Sequence, residues 1–171
     1  CEIDNDTLLK YLNILKQNSY RLLRLVNNVL DSSKLENNFT DLTLVNCNII
    51  NIIENIVLST GDYLEQNNKE IIFDTDEEEV FLSCDPDKIE KVILNLISNS
   101  LKFTDSNGKI KVKIFTDYES KKLFVHVQNN GPEISVSDSK KIFSRFIQSD
   151  ELFTKKNQGT GIGLFLCKSF I

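Results

Sequence analysis

The 171 residues contain no methionine, a single histidine and four cysteines scattered far apart. A chain without methionine that starts at Cys1 is expected to be a piece of a longer gene product, and its stop at Ile171 within an apolar stretch suggests the same of the other end. Cys1, Cys47, Cys84 and Cys167 form no CxxC pair, which argues against a disulfide framework and a zinc site. Buried, reduced thiols in a cytoplasmic protein are the expectation. No apolar run approaches the ~20 residues that span a bilayer, and no signal peptide is visible. Any membrane attachment would therefore come from parts absent from this chain. Basic residues are also in deficit, 20 against 25 acidic ones for a net charge of −5, which argues against non-specific affinity for nucleic acid or anionic membrane.

What is present is ordinary for a soluble domain, 40% hydrophobic and 26% charged, and long enough for one compact domain plus a helical extension. Leu8, Leu12, Leu15, Ser19, Leu22, Val26 and Val29 alternate spacings of four and three, the seam of a long helix. Leu9, Leu23, Leu25 and Leu30 widen that surface, so a four-helix bundle suits it better than a two-stranded coil, with an ordinary core helix as the plainer alternative. Residues 1–37 are assigned to this helix, 38–47 to a linker after polar Glu36-Asn37-Asn38, and 48–171 to a globular domain.

In that domain Asn48 is a candidate N-cap for a helix carrying Ile49, Ile53, Ile56, Val57 and Leu64. Asp85-Pro86-Asp87 opens another, with Ile89, Val92, Ile93, Leu96 and Ile97 turned inward. Ile71–Phe73 and Val80–Leu82 read as short strands, and Lys109–Asp117 and Lys121–Val127 alternate as antiparallel strands do. A short helix is expected over Ser137–Phe146, then a polar stretch, Gln148–Gln158, and a last helix after Gly159. Without regular βαβ alternation, the class is α+β, a sandwich of helices and sheet.

Four local patterns carry chemistry. Gly159-Thr160-Gly161-Ile162-Gly163-Leu164 leads into a helix, so its backbone can approach a ligand closely and its amides can cradle phosphate. No Lys-Ser/Thr follows, so it is not a Walker loop, and alone it could be a flexible turn. Asn95 and Asn99 share one helical face with Lys102 and Phe103 beyond them. Asn oxygens suit Mg²⁺, and the plainer alternative is two amides bonded to neighbouring backbone. Asn129-Asn130-Gly131-Pro132 is a strand entering a turn. Ile142-Phe143-Ser144-Arg145-Phe146, Phe153 and Lys155-Lys156 combine aromatics that could be core with cations that could reach phosphate.

Taken in order, these four patterns resemble the sensor histidine kinases, within the wider ATPase superfamily that includes gyrase and mismatch-repair enzymes. The likeness runs from Asn48 to Ile171, and the first helix resembles the second helix of the kinase dimerisation hairpin. It implies a two-layer α/β sandwich of the Bergerat type, preceded by a helix of a dimeric four-helix bundle. It also implies Mg·ATP as ligand, a homodimer through the first helix, and a response-regulator receiver domain as the phosphate's next acceptor. By resemblance Asn99 is the Mg²⁺ ligand with Asn95 supporting it, Lys102 approaches phosphate and Phe103 packs along the adenine. Asn129 accepts from the adenine amino group, Gly131 gives the base room, and Arg145 and Lys156 meet phosphate charge. Gly159, Thr160, Gly161, Ile162, Gly163 and Leu164 line the phosphates beneath a lid formed by Gln148–Gln158.

Two positions depart from the family pattern: Asn129 stands where an aspartate is usual, and Glu133 where a second glycine is. An amide still accepts a hydrogen bond but without charge assistance, which weakens binding by ~1 kcal/mol. Gyrase-type hydrolases carry a water-activating glutamate at the position of Asn95, which is no general base near neutral pH. The resemblance thus implies phosphoryl transfer rather than steady hydrolysis. The only histidine, His126, lies in a strand and in no phosphorylation motif, so the acceptor histidine is expected before Cys1 and closing strands after Ile171. The alternative reading is a degenerate, non-catalytic pseudokinase acting as an interaction module.

Overall fold

The chain divides into two units, Cys1–Thr40 and Asp41–Ile171. The structure, a computed structural model, describes residues 5–36, 42–147 and 161–171. In the first unit a 32-residue helix, α1 (Asn5–Glu36), follows the seam read from the sequence. Along that seam Leu8, Leu12, Leu15, Leu22, Val26 and Val29 stand 45–62% exposed. Among the described residues no helix is long and apolar enough to cross a membrane.

The second unit starts earlier than expected. Val45–Asn48, part of which was assigned to the linker, is strand β1, paired antiparallel with β3 (Phe81–Cys84). This pairing also brings together two cysteines that sequence spacing keeps apart: the Sγ atoms of Cys47 and Cys84 are 3.2 Å apart, both free thiols. Burial, helped by the bond to Cys47, pushes the Cys84 thiol up to about 11.

Helix α2 (Ile49–Gln66) begins at the expected cap, the Asn48 Oδ1 accepting from the Ile50 amide at 3.1 Å and from the Val80 amide at 3.2 Å. Strands β2 (Glu70–Thr75), β4 (Lys109–Asp117) and β5 (Lys122–Asn129) form a sheet in the order β2-β4-β5. The β4–β5 pair is the antiparallel hairpin read from the alternation. β2, however, runs parallel to β4, joined to it through β3 and helix α3 (Pro86–Phe103). A parallel pair requires such a crossover connection, which a search for hairpins overlooks.

Ile110, Val112 and Ile114 of the central strand are wholly buried, packed with Ile53 and Val57 of α2 and Ile93 and Ile97 of α3. Helices on one face of a mixed sheet give the expected two-layer α+β sandwich. The helix expected over Ser137–Phe146 is only one turn, α4 (Val136–Ser139), capped by the Ser135 hydroxyl accepting from the Asp138 amide at 3.1 Å. Turns follow it, and Phe146, at φ 57°, is incompatible with a continuing helix. The last element is α5 (Gly163–Phe170), whose Leu166 and Cys167 are buried; the Cys167 thiol donates to the Val92 carbonyl of α3 at 3.7 Å.

Candidate functional site

Helix α3 is the frame of the site, and its start is chemically secured. Asp85 Oδ1 accepts from the amides of Asp87 and Lys88 at 3.1 and 3.2 Å, and Oδ2 from the Thr43 amide at 3.0 Å. The Thr43 bond leads these interactions in holding the carboxyl below the usual carboxylate range, against the opposing effect of burial. Pro86 fills the first helical position, where no amide partner is lost. From this fixed origin Asn95 comes to lie buried in the middle of the helix, with Asn99, Lys102 and Phe103 half-buried along its second half.

Three other motifs converge on α3 and on the segments that follow it. At its C-terminal end the turn after β5 comes so close that a Cβ on Gly131 would overlap the Phe103 carbonyl oxygen; only glycine fits. Asn129, half-buried, sits at the end of β5 beside that turn. In the middle of α3 the first residue of α5 approaches, and a Cβ on Gly163 would lie 3.0 Å from the Asn95 Oδ1. Further on, the Arg145 guanidinium lies 4.3 Å over the ring of Phe165, on α5. The Phe146 amide donates to the Gly161 carbonyl at 3.0 Å, joining the end of the Arg145 motif to the residues that enter α5.

Asn95, Asn99, Lys102, Phe103, Asn129, Gly131, Arg145, Gly161, Ile162, Gly163 and Leu164 thus fall on connected elements. Lys156, Gly159, Thr160 and the expected lid over Gln148–Gln158 lie outside the described residues. Two side chains have local partners where the sequence suggested ligand contacts. Lys102 lies 4.7 Å over the ring of its neighbour Phe103, and Arg145 stacks on Phe165. Phe165 was not singled out from the sequence, where it reads as one more apolar residue of a helix.

The donor set fits a magnesium-bound polyphosphate. The first amides of α5, like those of any helix, have no intrahelical partner, and no described side chain caps them, so the helix presents its positive end beside Gly161 and Gly163. Lys102 and Arg145 add cations. Among the described residues no group of three His, Cys, Asp or Glu side chains gathers for a metal. An amide oxygen such as that of Asn99 could serve as a hard ligand for Mg²⁺, which characteristically completes its shell with phosphate oxygens and water.

The family model described as histidine kinase-, DNA gyrase B-, and HSP90-like ATPase matches residues 84–171, the stretch holding all four motifs. The chain belongs to that family. Histidine kinase P4 of Formosa agariphila is 32% identical over 94% of this chain and 12% of its own length. Sensor histidine kinase WalK of Bacillus subtilis is 27% identical over 98% of this chain and 27% of its own length. Among solved structures, histidine kinase ThkA in complex with the response regulator protein TrrA superposes with a TM-score of 0.73 at 30% identity, covering 99% of this chain and 46% of that one. The resemblance to sensor histidine kinases and the sandwich of their catalytic domains therefore both hold. The chain spans 12–27% of the length of these curated relatives.

Proposed function

We propose that this chain is the ATP-binding catalytic part of a two-component sensor histidine kinase. It would hold Mg·ATP for phosphoryl transfer to a histidine on an upstream helix and onward to a response-regulator aspartate. The observation that carries the reading is the double contact of α3, with Gly131 against the Phe103 carbonyl at its end and Gly163 against Asn95 at its middle. One helix thereby links the Asn pair to the adenine turn and to the phosphate loop.

In this reading the Asn129 amide oxygen accepts from the adenine amino group, and Gly131 leaves room for the base. The amides of Gly161–Leu164 and the Lys102 ammonium take phosphate oxygens. Arg145, released from Phe165, meets the charge on the γ-phosphate. Mg²⁺ when bound supplies charge neutralisation through Asn99. The transfer forms a bond between the histidine ring nitrogen and the γ-phosphorus while the bond to the β,γ-bridging oxygen breaks and ADP leaves. Catalysis comes from positioning and charge, since Asn95 has no carboxylate to activate water. In the intact kinase α1 pairs with a second copy, and the whole works in the cytoplasm.

The test is Mg²⁺-dependent binding of adenylyl imidodiphosphate to this chain and to its Asn99→Ala variant by calorimetry. Saturable binding that needs Mg²⁺ and weakens at least about tenfold in the variant, the equivalent of ~1.4 kcal/mol, is expected. No binding by the folded parent would leave the non-catalytic interaction module as the better account.

A further inference from the structure

The C-terminal end of α3 has to be held still, because Lys102 and Phe103 occupy its last two positions. A helix end leaves carbonyls without partners, and a left-handed glycine normally helps to close them. Here the residue after the helix is Thr104 in extended conformation, φ −80° and ψ 134°, so no left-handed residue caps it.

The partner comes from far away in sequence. Lys69 Nζ donates to the Leu101 carbonyl at 2.5 Å and to the Thr104 carbonyl at 2.6 Å. One ammonium thus brackets Lys102 and Phe103 from both sides along the backbone. It also places a positive charge at the negative end of the helix dipole. The mount of Lys69 is firm. Its own amide donates to the Leu64 carbonyl at 3.0 Å, the Asn107 amide to the Asn68 carbonyl at 2.8 Å, and the Glu70 amide to the Gly108 carbonyl at 3.0 Å. The turns after α2 and α3 are therefore stitched together around it. Burial pulls the Lys69 amine below the ordinary lysine range, with Asp105 opposing, so the fold keeps a cation where water alone would solvate it better. Gly131 also packs closely against the Phe103 carbonyl.

We propose that Lys69 is a positioning residue for the nucleotide, clamping the last turn of α3 so that Lys102 and Phe103 are presented to ATP. The inference rests on the ATP-binding reading above and adds a residue that touches no ligand. It follows from two bonds, one to the Leu101 carbonyl in the last turn of α3 and one to the Thr104 carbonyl just past its end, on either side of the binding side chains.

The experiment compares the full chain with Lys69→Met, Lys69→Gln, Lys69→Arg and Ile53→Val, the last a core lesion in α2 remote from these bonds. Two quantities are read well below each thermal midpoint: the Kd for Mg-bound adenylyl imidodiphosphate, and amide exchange at Phe103 and Thr104. Lys69→Met should weaken binding about tenfold and speed that exchange by a similar factor, with Lys69→Arg recovering most of both. Lys69→Gln substitutes for the Met variant should the latter fail to fold. Ile53→Val should lower the midpoint while leaving Kd within about twofold of the parent. Unchanged Kd in a folded Lys69→Met or Lys69→Gln chain, or a loss no larger than that of Ile53→Val at equal midpoint, overturns the role of Lys69 alone. A folded parent that does not bind overturns the ATP-binding reading and this role with it.

Discussion

Helices α1 and α3 are both amphipathic, yet they place their apolar side chains in opposite surroundings. On α3, Val92, Ile93 and Ile97 are 2–6% exposed, and the helix is fixed at its start by Asp85 and Pro86. On α1, Leu12, Leu15, Leu22, Val26 and Val29 are 47–62% exposed over a helix nearly twice as long, 32 residues against 18. Period alone would rank α1 as the more regular helix. The difference teaches that an amphipathic stripe says a helix will be covered without saying by what. α3 is covered by its own unit, whereas the apolar seam of α1 calls for cover by further helices, which the proposed function supplies from a second copy.

The sharpest way to test this contrast is the same deletion in both helices. Ile97→Ala should destabilise the second unit by about 3–4 kcal/mol, since it removes buried methylenes and leaves a cavity against Ile110 and its neighbours. Leu12→Ala, measured at protein concentrations low enough to keep the chain monomeric, should change stability by no more than about 0.5 kcal/mol. Urea unfolding followed by circular dichroism gives both numbers. Equal losses would mean that α1 is covered within the monomer and that the contrast is false.

Next in size is the association itself. Leu22→Lys combined with Val26→Lys places two charges in the α1 seam and should weaken self-association by at least about 100-fold, the equivalent of ~2.7 kcal/mol. Sedimentation equilibrium measures it, and the urea midpoint of the second unit should stay unchanged. A parent chain that remains monomeric up to millimolar concentration would remove a second copy as the covering partner.

How much of this could be read beforehand follows the range of the forces involved. Asn48 as a cap and Asp85-Pro86 as a helix start were legible because each acts on amides only two or three residues away. The alternation of Lys109–Asp117 was legible because the pleat has a period of two. The four motifs were visible as local runs, but each alone was ambiguous, and only their order along the chain pointed to the family that the comparison found over residues 84–171. Pairing of β2 with β4, and of β1 with β3, depends on partners tens of residues away, so the sheet order and the start of the second unit were not. The helix expected over Ser137–Phe146 shrinks to one turn because Phe143 and Phe146 are exposed, so no buried face sustains it. Lys69 gave no signal at all. A lone lysine before a strand is ordinary surface until the fold brings the carbonyls of Leu101 and Thr104 to its amine.

The smallest expected effect concerns what makes α3 self-sufficient at its start. Asp85→Ala removes the cap and the bond to Thr43 together and should lower stability by about 1 kcal/mol at neutral pH. The pH dependence follows from the direction of the carboxyl's shift. Bonds from Thr43, Lys88 and Asp87 hold it below the usual carboxylate range in the folded chain, so it binds a proton more readily when unfolded. Its stabilisation is then fully present above the ordinary aspartate value of about 4 and disappears as pH falls through the lower folded value. The gap between parent and Asp85→Ala should accordingly be constant from neutral pH to about 5 and narrow below about 4. A gap that persists undiminished down the acid limb would mean that the neutral carboxyl caps as well as the ion. In that case the anchoring of α3 would rest on the hydrogen bonds of Asp85 whatever its ionisation, together with Pro86, and its independence from outside cover would owe nothing to charge.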